Sequence, residues 1–355
     1  MAQRFFTTDW LQVGKDVILD VILDLLSERF VVPWFEAESR ISSFGWKSFP
    51  KVQPLQLHEA RDSLVNSGLI VLEHTNHPVS VVTIRLPFPP NREREITRLR
   101  GSRRKLYRKY LSWSNDQKLC GKHAELVVFD SLKAVASDAG LYVPPQVPDA
   151  IKEVNAIEVH PGPLDAFAYI LKLPDLGLDA TLVVEVKNIN DWIYPWTKEL
   201  WELLVKAANL ATHISILPIL VCMRWAYPTS NMAKDIGFFV IQTQNQLFSP
   251  LIPEDEFKEV IDDFCLTITQ HQGPLTEIEN FFIKPFRQSP PPTPPLGEDI
   301  PWYKRQADRF QAMSSTILSF QNLADNVPGD VRANMFRAFR AASLSSLPWP
   351  PVKSW

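Results

Sequence analysis

Apolar residues recur at helical spacing near the start of the chain: Val17, Ile18, Val21, Ile22, Leu25 and Leu26, with Lys15, Asp20 and Asp24 off the stripe. This spacing predicts a helix over 10–30. A second helix is expected after Pro33, a residue suited to a first helical turn, and it carries Trp34, Phe35 and Ile41. A third is expected over 55–66, ended by Gly68. The period then changes. Residues 69–72 and 79–86 are apolar and β-branched, separated by the polar stretch His74-Thr75-Asn76-His77-Pro78. That alternation predicts two strands joined by a turn.

Farther on, 103–137 has helical character with a break near Gly121, and Glu125, Leu126, Val127, Phe129 and Leu132 fall on its second part. Strands are expected at 165–171, 181–188, 216–223 and 238–242. Between them lie helices at 196–211, with Leu200, Trp201, Leu204, Val205 and Ala208 on one stripe, and at 231–236. Helices alternating with strands predict an α/β core built on a mixed sheet. After residue 250 a helix is expected at 254–270. A stiff proline-rich linker, 285–301, contains Pro290, Pro291, Pro292, Pro294 and Pro295. Helical segments at 302–323 and 329–342 follow. No internal repeat is found.

Composition narrows the picture. The chain has 355 residues, room for two or three domains, and 45% hydrophobic residues, enough for an ordinary core. Its formal net charge is −3, so nucleic-acid affinity has to come from a local patch. One such patch exists: Arg92, Arg94, Arg98, Arg100, Arg103, Arg104, Lys105, Arg108 and Lys109 stand against only Glu93 and Glu95. Tyr107, Tyr110 and Trp113 are interleaved with it. Cys120, Cys222 and Cys265 are isolated, which gives neither zinc spacing nor a disulfide framework and fits a reducing, cytoplasmic setting. Residues 1–14 do not read as a signal peptide, and no apolar run is long enough to span a membrane. Glycine-rich phosphate loops and Gly-x-Ser-x-Gly elbows are absent.

The chemistry concentrates in Thr181-Leu182-Val183-Val184-Glu185-Val186-Lys187-Asn188. Residues two apart in a strand share a face, so Glu185 and Lys187 emerge side by side from an otherwise apolar element. Buried charge is costly unless it is paired or binds a metal. Upstream, Leu164-Asp165-Ala166-Phe167 sets a carboxylate at the start of the preceding strand. Another Glu-x-Lys, Glu256-Phe257-Lys258, lies in an expected surface helix and reads as a solvated face.

An aspartate opening one strand and Glu-x-Lys on the next resembles the PD-(D/E)XK nuclease superfamily, over residues 118–245. The family often places proline directly before the aspartate; here Leu164 intervenes, with Pro163 one step earlier. The resemblance implies a restriction-endonuclease-like fold and Mg2+, with Mn2+ as a substitute. It implies Asp165, Glu185 and the carbonyl of Val186 as metal ligands. Lys187 would orient water and offset developing negative charge, and Glu125 would hold a ligating water or a second ion. Separately, three helices followed by a hairpin over 10–88 resemble a winged helix-turn-helix domain.

The expected organisation is a winged-helix-like domain at 1–90, a basic helical connector at 91–117, a nuclease-like core at 118–250 and a helical C-terminal extension at 251–355. DNA is the expected partner, RNA being the alternative, with Arg98, Arg100, Arg103, Arg104, Lys105 and Arg108 gripping phosphates. The other reading of that run is a solvated helix with its aromatics packed inward. Helix 55–66 offers His58, Arg61 and Asn66 as exposed contacts. A homodimer and a protein partner on the C-terminal helices are further expectations. The pairing of modules resembles restriction or defence nucleases. The competing reading is a non-catalytic DNA-binding or assembly subunit with the same fold.

Overall fold

The computed structural model describes residues 8–29, 31–34, 37, 54–74, 82–85, 93–139, 141–145, 151–170, 180–189, 192–264, 268–287 and 302–347. Most of the expected second helix, the turn at 75–81 and the proline run at 290–295 lie outside them. The chain forms two compact units, Met1–Asn115 with Leu251–Ile268, and Asp116–Pro250 with Thr269–Trp355. These units divide the chain differently from the expected segments, and Leu251–Ile268 falls in the first of them. The basic helix joins the first unit instead of standing as a connector, and the C-terminal helices are part of the core unit. Among the described residues, no helix is long and apolar enough to cross a membrane.

The first unit opens with α1 (Thr8–Arg29), β1 (Val31–Pro33), α2 (Pro54–Asn66), β2 (Val71–His74), β3 (Val82–Arg85) and α3 (Glu93–Asn115). The stripe read from the sequence is the buried one: Ile18, Ile22, Leu25 and Leu26 pack with Leu57, Ala60 and Leu64 of α2. The strands form an antiparallel sheet in the order β1-β3-β2. The sequence pattern had given only the second and third of these, because β1 is three residues long.

The second unit is mixed α/β. It begins with α4 (Gly121–Val135), β4 (Leu141–Tyr142), the small β5–β6 hairpin (Glu153–Val154, Ile157–Glu158), β7 (Ala166–Ile170) and β8 (Thr181–Lys187). Next come α5 (Lys198–Ala211), β9 (Ile216–Cys222), α6 (Tyr227–Ile236), β10 (Phe239–Gln242) and β11 (Gln246–Phe248). The main sheet runs β10-β9-β8-β7-β4. Strands β8, β9 and β10 are parallel, while β7 and β4 run antiparallel to their neighbours. The two central strands are covered on both faces, which is why they read as nearly unbroken apolar runs.

Helix α7 (Glu254–Phe264) returns to the first unit, where Phe257 lies 6.0 Å from the Trp113 ring. The expected helix at 254–270 is thus too long: it stops at Phe264, and Ile268–Gln270 form β12. Helix α8 (Thr276–Arg287) was not anticipated and runs through Pro285, where the linker had been expected to begin. Helices α9 (Trp302–Ser319) and α10 (Gly329–Ser346) follow.

The sheet separates two hydrophobic layers. On one face, Val183 and Phe167 pack with Leu200, Trp201 and Leu204 of α5, with Phe310 and Met313 of α9, and with Phe339 of α10. On the other, Leu182, Val184 and Val186 pack with Val127 and Val128 of α4 and with Ile278 and Phe282 of α8. Trp201 is fully buried, edge-on to Phe339 at 4.6 Å, and packs in the core.

Candidate active site

Strand alternation decides where the charges of β8 go. Leu182, Val184 and Val186 belong to the α4 layer and Val183 to the α5 layer. Glu185 and Lys187 share the parity of Val183, so they face α5. Strand β7 pairs Ala166 with Val184 and Phe167 with Val183. Continuing that register by one residue sets Asp165 opposite Glu185, and directly opposed residues in an antiparallel pair share a face. Asp165 is 7% exposed and Glu185 2%, both far below what carboxylates ordinarily show. Asp165, Glu185 and Lys187 therefore lie toward the same face of the sheet.

Each charge has partners. Lys187 Nζ lies 3.0 Å from Glu185 Oε1 and donates to Glu202 Oε2 at 3.2 Å. Lys198 approaches the other oxygen of Glu202 at 3.4 Å. Lys206 Nζ donates to both oxygens of Glu185 at 3.0 Å and to the Pro163 carbonyl at 2.7 Å. Asp165 Oδ2 accepts from the backbone N–H of Val186 at 2.6 Å.

Burial, followed by the negative charge of Glu185, pushes the Asp165 carboxyl up to about 8, against the opposing Val186 N–H. Burial alone would lower the Lys187 ammonium, but Glu185 and Glu202 outweigh it and hold it above the ordinary lysine value. Burial would raise Glu202, yet Lys187 and Lys198 keep it below the usual range.

Glu125 sits half-buried on α4, the helix layered on the opposite face, and its charge contributes to raising Asp165. Val186 is buried, and its N–H is taken by Asp165. His123 Nε2–H donates to the His271 carbonyl, 3.0 Å away, and the side chain is half-buried, in keeping with a structural role.

The basic run lies on α3. Arg98, Lys105 and Arg108 are exposed and Arg104 is half-buried; the side-chain exposure of Arg100 lies outside the described residues. Arg103, at 8% exposure, is buried, unlike the other described members of the run. Tyr110 and Trp113 are likewise buried, so the inward-packed reading holds for them. Trp113 packs near Phe257, and Lys109 pairs with Glu256 at 3.0 Å. In α2, Arg61 lies over the Trp34 ring at 5.1 Å and pairs with Asp62 at 2.8 Å, while Asn66 is exposed.

Several residues of the site were not found from sequence. Lys206 is the foremost; its signal was a lone charge inside Leu203-Leu204-Val205-Lys206-Ala207-Ala208. Asn188 is another. Its amide donates to the carbonyls of Cys120 (3.1 Å) and Leu247 (2.6 Å) and accepts from Leu247 N–H (2.8 Å). Gln246 donates to the Asn188 carbonyl at 3.0 Å. This network anchors the end of β8 directly after Lys187. No local pattern marks it, because its partners lie about 60 residues away in sequence.

Among the described residues, no group of three or more His, Cys, Asp or Glu side chains is arranged to hold a metal ion. Comparisons with family models, with curated proteins and with solved structures gave no match.

Proposed function

We propose that this chain is a metal-dependent nuclease that hydrolyses phosphodiester bonds, in DNA by preference, with Asp165, Glu185 and Lys187 as its active site. The observation that carries the reading is the convergence of these three side chains on one buried face of the central sheet. We further propose that the mixed-sheet unit is restriction-endonuclease-like and that α1, α2 and the three-stranded sheet form a winged-helix-like module. The strand order β1-β3-β2 after α1 supports the latter.

The residues present fit a hard divalent cation such as Mg2+ or Mn2+. Two carboxylates face each other, and the charge of Glu185 helps to hold Asp165 protonated, a repulsion that a cation would relieve. Asp165 and Glu185 would hold the ion, with the Val186 carbonyl and water completing its shell. When bound, such an ion supplies hydroxide near neutral pH and stabilises charge on the phosphate. Lys187, kept protonated by Glu185 and Glu202, orients the attacking water and offsets negative charge developing on the phosphate. Glu202 fixes the direction in which the Lys187 ammonium points. Arg98, Lys105 and Arg108, the exposed members of the basic helix, contribute phosphate affinity.

Incubation of plasmid with Mg2+ or Mn2+ tests the proposal. Cleavage by the wild type that both Asp165→Ala and Lys187→Ala lose supports it. Equal traces in all three are contamination and sink it.

A second reading has its own observation: Glu185 is already neutralised by Lys206 and Lys187. A retained fold acting as a DNA-binding or assembly subunit needs no cation there. DNA binding without cleavage, unaffected by Asp165→Ala, favours that reading.

A further inference from the structure

Lys206 lies within α5 at 6% exposure, on a helix whose neighbouring positions are almost all buried and apolar. A buried ammonium is tolerated only when it is paired and its donors are used. Lysine has three donors. Here its nitrogen meets three acceptors: both oxygens of Glu185 and the carbonyl of Pro163. Pro163 lies two residues before Asp165. One side chain therefore ties α5 to β8 and to the segment leading into β7. The carboxylate it grips is the one assigned above to a cation.

We infer that Lys206 is a built-in counter-ion occupying the cation's place at Glu185, and that a divalent cation binds by displacing it. The inference rests on the proposed metal site and adds its regulation. Lys206 holds both oxygens of Glu185, whereas Lys187 engages Oε1 alone, so an incoming dication competes with the Lys206 ammonium for that carboxylate and is repelled by its charge. Lys206 thus sets the cation concentration at which the site loads, and it keeps Glu185 oriented while the site waits. It is a positioning residue: it contacts Glu185 and reaches the reacting atoms only through it.

The test is calorimetric titration of Mn2+ into the full chain, comparing wild type, Lys206→Met and Lys206→Met with Asp165→Asn. Removing the competing charge-assisted bonds is expected to tighten Mn2+ binding by about tenfold or more, and Asp165→Asn is expected to abolish that gain. A lysine with a merely structural role would lower the melting temperature and leave the Mn2+ affinity unchanged. Equal or weaker affinity in folded Lys206→Met overturns the inference and leaves the metal site standing. Binding by Lys206→Met where the wild type shows none supports the inference, since the lysine then excludes the ion. No binding by either overturns the metal-site reading and the inference with it. If Lys206→Met is unfolded without metal, far-UV circular dichroism with added Mn2+ decides. Recovery of the native signal supports exchange of one cation for the other, and a chain that stays unfolded overturns it.

Discussion

Asp165 Oδ2 accepts a hydrogen bond of 2.6 Å from the backbone N–H of Val186, the residue between Glu185 and Lys187. The bond crosses from the start of one strand to the working end of the next. It fixes the Asp165 carboxyl beside Glu185 even though their charges repel each other. Asp165 is held this way by the backbone, and Glu185 by Lys206 and Lys187.

Asp165→Asn keeps an acceptor for Val186 N–H while removing the carboxylate. The variant is expected to fold with near wild-type circular dichroism and to lose plasmid cleavage by about a hundredfold or more. Lys187→Met is expected to lose a similar factor. Wild-type rates in either variant would remove that residue from the active site.

The raised Asp165 group makes the metal-free fold sensitive to pH. Unfolded, this carboxyl ionises near its ordinary value of 3.8; folded, it holds its proton to about 8. Between these values the folded chain binds the extra proton, so its stability is fullest below the lower value and falls as pH rises to the upper one. The slope from one group is at most about 1.4 kcal/mol per pH unit. Urea denaturation in EDTA across pH 5–8 should show a steeper decline for wild type than for Asp165→Asn. Parallel curves would show that Asp165 ionises normally.

Asn188→Ala strips both partners from the Leu247 amide and carbonyl and one from Cys120. Leaving such groups unsatisfied is expected to cost about 2–3 kcal/mol. Denaturation midpoints measure this. Because the network holds the strand end next to Lys187, cleavage is expected to fall by more than the loss of folded protein explains.

Gly237 ends α6 at φ +95°, where a side chain is strained, and a Cβ there would press on the backbone of Gln306 and Phe310 in α9. Gly237→Ala is expected to destabilise the second unit by about 2 kcal/mol or more. Limited proteolysis should then cut in or around α9 sooner than in wild type. An unchanged digestion pattern would contradict the close packing of that helix on Gly237.

The contrast between what the sequence disclosed and what it hid has a physical basis. Glu185 and Lys187 were legible because two charges interrupt an apolar strand with period two, and few structural needs explain them. Helices α1, α2 and α5 were legible because their stripes persist over several turns. Lys206 was hidden because a single lysine in a helical stretch is ordinary, and only the fold shows that its position faces Glu185. Helix α8 was hidden by Pro285, which made its end look like part of the proline run. Arg103 stood in the sequence as one more cation of a charged helix; its burial depends on tertiary packing that composition does not encode.

The layer above Glu185 and Lys206 has a consequence for the order of synthesis. Helix α5 is closed on its far side by Phe310, Met313 and Phe339, more than 100 residues farther along the chain. A nascent chain carrying β7, β8 and α5 alone leaves that apolar face open to water, and Lys206 lacks the dry surroundings that hold it on Glu185. The acidic pair therefore gains its frame only after α10 has left the ribosome.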